Sequence, residues 1–278
     1  MNKQGLVLDK VVLLGRTFEE YVRYFALDAA ALRGQAVLDV ASGVSSFCAE
    51  ANAQGIHVTA FDLIYQLPPE QIEARCGPDL DRVTKSIGGL QAYKWGFYKD
   101  PETMRIYRER AYKTFLTDYS THGVTEISGT PGHADDSFPL TPGERAGVRG
   151  KGAHHVDLCS KADSRPPWHP GSRYVPGNLP RLPFRDGQFD LTLSSYLLFV
   201  YEDHFDYEFH KRSVLEIMRV TRSEARFYPL VSFEAKRCSY LDPLKNDPDL
   251  RHLTFEEVQT DFEFLVGSNW FLRVARRR

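Results

Sequence analysis

The sequence predicts an α/β fold with a Rossmann-like, doubly wound and mostly parallel sheet, and three observations support this. Residues 36–40 and 56–61 are short apolar runs typical of strands, and the Ala-rich stretch 45–54 between them is compatible with a helix that ends at Gly55. This strand–helix–strand order favours a parallel pair with a right-handed crossover. Later segments again alternate strand and helix and close with an antiparallel pair, which is typical of an open doubly wound sheet.

Composition limits the protein class. The 278 residues are 42% hydrophobic and 26% charged, which indicates an ordinary globular protein that we interpret as a single domain over residues 1–278. A net charge of −2 gives the protein no overall electrostatic attraction to nucleic acid or to an anionic membrane. No stretch approaches the roughly 18 apolar residues of a membrane-spanning helix. The four cysteines form no CxxC pair, so we expect reduced thiols in a cytoplasmic protein.

Helices are expected at the N-terminus and after the second strand. Residues 16–28 carry apolar side chains at helical spacing, and we predict a helical cap segment over residues 64–119. Within it, Asp100 followed by Pro101 has the pattern of a helix N-terminus. The apolar stripe of this helix follows the 3.6-residue period at Met104, Tyr107, Ala111, Phe115 and Tyr119.

A different composition marks residues 120–172, which hold 8 of the 20 glycines, 6 of the 16 prolines and 5 of the 9 histidines without sustained periodicity. We interpret this segment as an insertion, mostly disordered or loosely packed. Four metal-ligating residue types lie close together there: His154, His155, Asp157 and Cys159. An unpatterned histidine pair is more often incidental, so no metal site is predicted.

The second half of the chain supplies the remaining predicted elements. We expect a buried strand at 189–195, a helix at 206–221 and another strand within 225–233. Two further strands are predicted at 258–266 and 270–276. The Gly-Ser-Asn tripeptide between them is typical of a hairpin connection.

Carboxylates at strand ends indicate a ligand site. Asp39 and Asp62 fall at the carboxyl ends of the first two strands, where open α/β sheets bind ligands. An acid at the second position commonly accepts hydrogen bonds from ribose hydroxyls; the alternative is an aspartate that caps the next turn. The loop between the two strands has neither the GxGxxG nor the Walker pattern, so it is poorly suited to bind a diphosphate. A nucleoside cofactor without phosphate needs one tight turn, which Gly43 supplies.

The chain resembles the class I S-adenosylmethionine-dependent methyltransferases. "VLDVASGVSSF" is similar to the first motif of that family, with Asp39 as the acid and Gly43 as the central glycine, but Ala41 and Ser45 stand where glycine is usual. "VTAFDL" is similar to the second motif, with Asp62 for the ribose. The segment "GNLPRLPFRDGQFDLTLSS" is the most specific of the three matches.

The resemblance implies S-adenosylmethionine as cofactor and names its contacts. Asn178 would reach the adenine amino group through its side chain, and Leu179 would meet the ring through its backbone N–H. A narrower similarity, to a bacterial subgroup of uncharacterised methyltransferase-like proteins, implies that Arg16 and Tyr21 meet the methionine carboxylate; the alternative is a surface arginine beside a core tyrosine. The expected cofactor-binding set is Arg16, Tyr21, Asp39, Ala41, Gly43, Asp62, Leu63, Asn178, Leu179 and Ser195.

Methyl transfer from a sulfonium is an in-line displacement in which the protein mainly orients the reactants. If a base is needed, the candidates after the fourth strand are Tyr196, Tyr201 and His204. The acidic, His-containing stretch "YEDHFDYEFH" also admits a metal site or solvated acids at a helix start. Aromatic residues before the cap helix either line an acceptor pocket or pack the cap on the sheet: Tyr93, Trp95, Phe97 and Tyr98.

Three function classes therefore stay open. The favoured one is a methyltransferase acting on a small-molecule acceptor. The second is a non-catalytic protein of the same fold that binds a partner, which the substitutions at Ala41 and Ser45 keep open. The third, nucleic-acid modification, is disfavoured by the acidic balance and by "SSYL" in the place of an Asn-Pro-Pro-Tyr motif. The sequence does not predict an oligomeric state.

Overall fold

The computed structural model describes residues 12–123 and 172–277, and within these ranges seven strands form one mixed sheet in the order β3-β2-β1-β4-β5-β7-β6. The strands are β1 (Ala36–Val40), β2 (His57–Asp62), β3 (Tyr174–Pro176), β4 (Phe189–Ser195), β5 (Thr221–Tyr228), β6 (Leu253–Gln259) and β7 (Trp270–Arg276). The helices are α1 (Phe18–Tyr24), α2 (Phe47–Ala53), α3 (Pro69–Ile87), α4 (Pro101–His122), α5 (Tyr207–Val220) and α6 (Leu241–Asn246).

The predicted fold class is confirmed by the pairing of these strands. β1 lies between β2 and β4, and the pairs from β3 to β5 are all parallel. β7 is antiparallel to both β5 and β6 and closes the sheet. Because parallel strands end at the same edge, Asp39 and Asp62 both lie at the carboxyl edge beside the end of β4. The topology therefore brings the two predicted acids to one place.

Local signals explain where the helices begin. Thr17 caps α1 in a reciprocal capping box with Glu20. Asp100 caps α4, as predicted, by accepting a hydrogen bond from the Thr103 backbone N–H at 2.6 Å. The long helices α3 and α4 pack on each other, and side chains of both line the same pocket as Asp62 at the carboxyl edge of the sheet. Together they cover the region where a ligand would bind.

One strand prediction is wrong. The first strand of the C-terminal hairpin is Leu253–Gln259 and not 258–266. Residues 260–266 leave the sheet because they bind the cap: the Lys94 N–H donates to the Phe264 carbonyl at 2.8 Å, and the Val266 N–H donates to the Ala92 carbonyl at 2.9 Å. Phe262, Phe264 and Leu265 are buried although they do not lie on a strand, so the alternating pattern was misleading.

The remaining differences are small. β5 begins earlier than predicted and ends at Tyr228, before Pro229, which has no N–H to continue the ladder. α4 extends to His122, so residues 120–122 are helical and do not belong to an irregular insertion. The rest of the predicted insertion, with its His154–Cys159 cluster, lies outside the described residues. No helix within residues 12–123 and 172–277 is long and apolar enough to cross a membrane.

Candidate active site

Two connected depressions lie at the carboxyl edge of the sheet. The first, which we call the cleft, has about 860 Å³ of empty space including open solvent, between the N-terminal segment 12–16, the loop 41–45, the cap helices and residues 195–201. The second, the slot, has about 290 Å³ between Leu63 and residues 177–179. Ala41, Asp62 and Leu197 line both. The two spaces therefore form one elongated site that passes the end of β1.

Asp62 stands where the cleft and the slot meet. Its Oδ2 accepts the backbone N–H of Gly43 at 3.0 Å, and its Oδ1 accepts that of Ile64 at 3.0 Å. The Tyr65 hydroxyl donates to the Gly43 carbonyl at 2.8 Å. Gly43 has φ +57°, a conformation in which glycine is unstrained. The expected tight turn is present, and the carboxylate is oriented by backbone donors.

The two departures from the glycine-rich motif have different structural consequences. Ala41 adopts φ +58°, a left-handed conformation that is strained for alanine and explains why glycine is usual there. Ser45 has a use of its own, because its Oγ accepts the backbone N–H of Arg16 at 3.1 Å. Glycine at position 45 could not make this contact. The serine therefore ties the N-terminal segment to the loop.

Asp39 lies behind the loop and is fully buried. It accepts hydrogen bonds from the Ser42 hydroxyl at 2.6 Å and from the Tyr21 hydroxyl at 2.9 Å. The Ser195 hydroxyl donates in turn to the Tyr21 oxygen at 3.2 Å. Burial raises the pKa of Asp39 to about 7, against the hydrogen bonds from Ser42 and Tyr21, which lower it. This chain of bonds joins the end of β1 to the end of β4.

Tyr21 does not lie where the resemblance implies. Its side chain is fully buried, its ring stacks on Phe47 with centroids 4.2 Å apart, and its hydroxyl is directed at Asp39. It is therefore behind the cleft wall. Arg16, by contrast, lines the cleft and is only 6% exposed, so the alternative of a surface arginine is wrong.

Arg16 belongs to a buried ion cluster that also contains Glu20 and Arg108. Arg108 Nη1 donates to both carboxylate oxygens of Glu20 at 2.6 and 2.8 Å, and Arg16 Nε lies 3.9 Å from Glu20 Oε1. Tyr98 also donates to Glu20 and accepts a hydrogen bond from Arg108. Burial alone would raise the pKa of Glu20, but the charges of Arg108 and Arg16 outweigh it and hold the pKa below its usual value.

Much of the cleft lining is apolar and aromatic. It is formed by side chains of the cap and of the loops that follow the sheet: Val83, Ile87, Tyr93, Met104, Tyr196, Tyr201, Phe233, Phe264 and Leu265. Of the four aromatic residues weighed for the acceptor pocket, Tyr93 lines the cleft. Trp95, Phe97 and Tyr98 make aromatic contacts with Phe262 or Phe264 and pack the cap onto the C-terminal segment.

The three candidate bases are separated by the fold. Tyr196 and Tyr201 line the cleft, whereas His204 is exposed and is not among the residues that line it. His210 is buried with Nδ1 and Nε2 at 2.8 and 2.9 Å from the Asp206 and Leu198 carbonyls, so it does not converge with His204. Within the described parts of the chain, no three His, Cys, Asp or Glu side chains are grouped to hold a metal ion.

The sequence reasoning missed Glu20 and Arg108. A signal for Arg108 was available, because it lies on the apolar stripe of α4 between Met104 and Ala111, where a charged residue needs a partner. The partner, Glu20, is 88 residues away in the sequence. The capping box is by itself a sufficient reason for a glutamate at position 20. The sequence therefore contains no sign that Glu20 also pairs with Arg108.

The site thus combines an acid at the end of β1, a second acid at the end of β2, and the segment 177–179 after β3, which closes the slot. Comparison with curated proteins places the chain in a family. It is 32% identical over 273 residues to the uncharacterised protein MJ0045 of Methanocaldococcus jannaschii, covering 98% of this chain and 99% of the relative. The chain belongs to the same family as MJ0045.

Other comparisons concern models and solved structures. No protein-family model matches the chain. Solved structures similar to it include a magnesium protoporphyrin IX methyltransferase from Synechocystis PCC 6803 with bound SAM, with a TM-score of 0.41 and 10% identity over 91% of this chain and 74% of that one. A TehB-like SAM-dependent methyltransferase from Corynebacterium glutamicum gives a TM-score of 0.41 and 15% identity over 92% and 86% of the two chains. The expected bacterial subgroup is not confirmed, since MJ0045 is archaeal.

Proposed function

We propose that the protein transfers a methyl group from S-adenosylmethionine to a small-molecule acceptor. The observation that carries the proposal is the position of Asp62, which lies 2% exposed at the junction of the slot and the cleft and is oriented by the N–H groups of Gly43 and Ile64. A carboxylate held in this way is suited to the two hydroxyls of a ribose. The slot on one side and the cleft on the other match a nucleoside with an amino-acid extension.

The residues present fit this cofactor. The slot is bounded by Phe61, Leu63 and Leu179, which offer apolar faces to a planar base, with Asn178 at its rim. Gly177 has φ +154°, and a Cβ there would come within 2.7 Å of the Phe61 ring. Any larger residue would displace that ring, so the slot depends on glycine at this position.

Each residue has a proposed role. Asp62 binds the ribose, Leu63, Asn178 and Leu179 hold the adenine, and the Ala41–Gly43 turn together with Ser195 flanks the amino-acid end. Arg16 is kept as the partner of a carboxylate. Tyr21 positions Asp39 and does not contact the cofactor, because its hydroxyl is directed at that carboxyl group.

S-adenosylmethionine, when bound, supplies an electrophilic methyl group and a neutral thioether leaving group, so the chain's own contribution is to hold the acceptor in line and to exclude water. The apolar lining of the cleft suits a planar or apolar acceptor. Tyr196 and Tyr201 belong to this lining and are the candidates to orient an acceptor nucleophile or remove its proton. His204 is dropped from the catalytic set because it is exposed outside the cleft.

Calorimetric titration with S-adenosylhomocysteine tests the proposal. We expect the wild-type protein to bind and Asp62→Ala to lose at least about tenfold in affinity, as expected when charge-assisted hydrogen bonds are removed. Asp261→Ala is the control, since Asp261 is an exposed aspartate that lines neither the cleft nor the slot.

The alternative of a non-catalytic partner-binding protein predicts a different result. A folded wild-type protein that binds neither S-adenosylhomocysteine nor S-adenosylmethionine would contradict the methyltransferase proposal and favour the alternative. The protein could also bind the cofactor but transfer no methyl group to any acceptor in a screen of planar small molecules. That result would support the cofactor site and favour a role in binding a partner.

A further inference from the structure

A chain of hydrogen bonds runs from the cleft to the buried carboxyl group of Asp39. Ser195 lines the cleft, and its hydroxyl donates to the Tyr21 hydroxyl oxygen at 3.2 Å. Tyr21 donates in turn to Asp39 Oδ2 at 2.9 Å. Asp39 is fully buried and is not among the residues that line the cleft. Its carboxyl group therefore communicates with the cleft through hydroxyl groups.

The direction of these bonds follows from the number of protons. An ionised carboxylate only accepts hydrogen bonds, and Tyr21 has a single hydroxyl proton, so that proton points to Asp39. Ser195 then gives its own proton to the Tyr21 oxygen, which leaves a lone pair on Ser195 Oγ for a donor in the cleft. A protonated Asp39 can donate to Tyr21, and both bonds then reverse. The charge state of Asp39 thus decides whether Ser195 accepts or donates in the cleft.

The proton affinities along this chain are suited to proton transfer. Burial raises the pKa of Asp39 to about 7, and the charge of Asp62 at the end of β2 adds to the rise. Burial also raises the pKa of Tyr21 well above its usual value, so Tyr21 stays neutral and passes on a proton only when it receives one. The acid at the inner end takes up a proton near neutral pH, where a general base is most effective.

The groups around Asp39 leave it as the candidate for a titration near neutral pH. Titratable neighbours lie on three packed elements: Tyr24 on α1, Cys48 on α2 and Tyr65 after β2. Burial raises the pKa of each, so these three stay protonated. The charged groups in the cleft lining are Arg16, Asp62 and Arg108. Among the described residues, neither a histidine nor a cysteine lines the cleft.

We propose that Ser195, Tyr21 and Asp39 form a proton relay for a hydroxyl-bearing acceptor, in which Ser195 contacts the acceptor and Asp39 is the final site of its proton. The inference rests on the proposed function. As the acceptor oxygen bonds to the methyl carbon, the carbon–sulfur bond breaks and its electrons stay on sulfur. The acceptor proton passes to Ser195 Oγ, the Ser195 proton to Tyr21 and the Tyr21 proton to Asp39. Both hydroxyls are regenerated, and the positive sulfonium and the negative carboxylate are neutralised together.

The relay indicates the class of acceptor. An alcohol or phenol must lose a proton when its oxygen is methylated, so it needs a group that takes this proton. Ser195 precedes Tyr196, which belongs to the apolar and aromatic lining of the cleft. A planar phenol fits both features. Ser42 also donates to Asp39, at 2.6 Å, and lines the cleft, but it belongs to the Ala41–Gly43 turn that we assign to the cofactor.

Two probes that differ in one hydroxyl group test the relay. 2-Naphthol is a planar phenol, and 2-methoxynaphthalene is its methyl ether, with the same rings but no proton to donate. Phenolic hydroxyls ionise near about pH 10, so 2-naphthol stays uncharged during the measurement. Each probe is titrated calorimetrically into protein saturated with S-adenosylhomocysteine, at about pH 6 and about pH 8, on either side of the Asp39 titration. The measured quantity is the hydroxyl preference, the ratio of the affinities for 2-naphthol and for its ether.

Four variants interrupt or restore the relay. Tyr21→Phe removes the middle hydroxyl, and Asp39→Asn removes the final proton acceptor. Ser195→Ala removes the hydroxyl in the cleft, whereas Ser195→Thr keeps one. The controls are Ser42→Ala, which removes the other hydroxyl bonded to Asp39, and Tyr24→Phe, which removes a buried hydroxyl without a hydrogen-bond partner from the same helix as Tyr21. Thermal unfolding identifies any variant that fails to fold.

We expect a hydroxyl preference of about tenfold in the wild-type protein at the higher pH, the value of one hydrogen bond to a charged chain, and a preference near one at the lower pH. Tyr21→Phe and Ser195→Ala should bring it near one at both pH values, and Asp39→Asn should remove its pH dependence. Ser195→Thr and both controls should retain it. A merely structural role would weaken both probes alike and leave the preference unchanged.

The relay is overturned if the wild-type protein, with S-adenosylhomocysteine bound, binds neither probe or shows the same preference at both pH values. A folded Tyr21→Phe variant that keeps the pH-dependent preference also overturns it, as does an equal loss in Ser42→Ala and Ser195→Ala. If Tyr21→Phe does not fold, equal preferences in Ser195→Ala and Ser195→Thr contradict the relay.

Two results separate the relay from the cofactor site. A loss of S-adenosylhomocysteine affinity in Tyr21→Phe with an unchanged hydroxyl preference would overturn the relay and make the chain of bonds a support for the cofactor. Failure of the wild-type protein to bind S-adenosylhomocysteine would instead contradict the proposed function. A pH-dependent hydroxyl preference that requires Tyr21 would then still support proton transfer from the cleft to Asp39.

Discussion

The hydroxyl of Tyr21 donates to the carboxyl group of Asp39 with distances of 2.9 and 3.1 Å to its two oxygens. Both residues are fully buried, and the bond connects the N-terminal helix with the end of the first strand. Asp39 has no access to water, so the Tyr21 hydroxyl supplies a hydrogen bond that water would otherwise donate to the carboxyl group. The N-terminal helix is thereby joined to the same edge of the sheet that forms the cleft.

Replacing Tyr21 with phenylalanine should destabilise the protein by about 1–3 kcal/mol, because the buried carboxyl loses a donor. The loss should be larger at about pH 8, where Asp39 carries a charge, than at about pH 5. Urea unfolding at the two pH values measures it. Tyr24→Phe is the control from the same helix, since the Tyr24 hydroxyl is buried and makes no hydrogen bond. Equal losses in the two variants would contradict the importance of the Tyr21–Asp39 bond.

The raised pKa of Asp39 should make stability depend on pH. Burial raises the pKa to about 7 in the folded state from the usual value of 3.8, so between these values the folded protein binds more protons than the unfolded one. The free energy of unfolding contributed by this group is therefore present at low pH and falls as the pH rises through that window, by at most about 4 kcal/mol. Asp39→Asn should remove this slope while the exposed-site variant Asp261→Asn keeps it. An unaltered slope in Asp39→Asn would show that another group is responsible.

Replacing Ala41 with glycine should stabilise the protein by roughly 1 kcal/mol, because alanine is strained at φ +58° and glycine is not. Ala51→Gly in α2 provides the opposite case, since Ala51 is a buried helical residue and glycine there should cost about 1 kcal/mol. Chemical denaturation measures both. Equal destabilisation by both glycines would show that the backbone of Ala41 is not strained.

Replacing Gly15 with alanine should displace the N-terminal segment from the loop, because its Cβ would come within 2.2 Å of the Val44 carbonyl oxygen. We expect a loss of about 1–3 kcal/mol, accompanied by weaker binding of S-adenosylhomocysteine. Gly89→Ala, just after α3, meets no atom within 4 Å and should change the stability by less than about 0.5 kcal/mol. It replaces one exposed glycine with alanine without a close contact. Thermal unfolding measures the stability of the two variants, and calorimetry measures their affinity for S-adenosylhomocysteine. A Gly15→Ala variant with unchanged stability and affinity would mean that the segment is free to shift.

Secondary structure around the site could be predicted because its signals are local. The strands ending near Asp39 and Asp62, the helix capped by Asp100 and the turn at Gly43 each depend on residues within a few positions of one another. The antiparallel hairpin was placed at the right end of the chain, but its first strand was shifted. Residues 260–266 look like a strand by alternation, but the backbone groups of Phe264 and Val266 bond to residues 92–94 and not to the sheet.

The sequence by itself determined the fold class and the two acids at the carboxyl edge, because hydrophobic periodicity and parallel topology are sufficient to place them. Only the tertiary structure decided what each polar side chain faces: it turned Tyr21 to Asp39, left His204 outside the cleft, and joined Glu20 to Arg108 across 88 residues of sequence. Such contacts depend on which elements pack together, and their energies come from burial. No pattern within a short window contains that information.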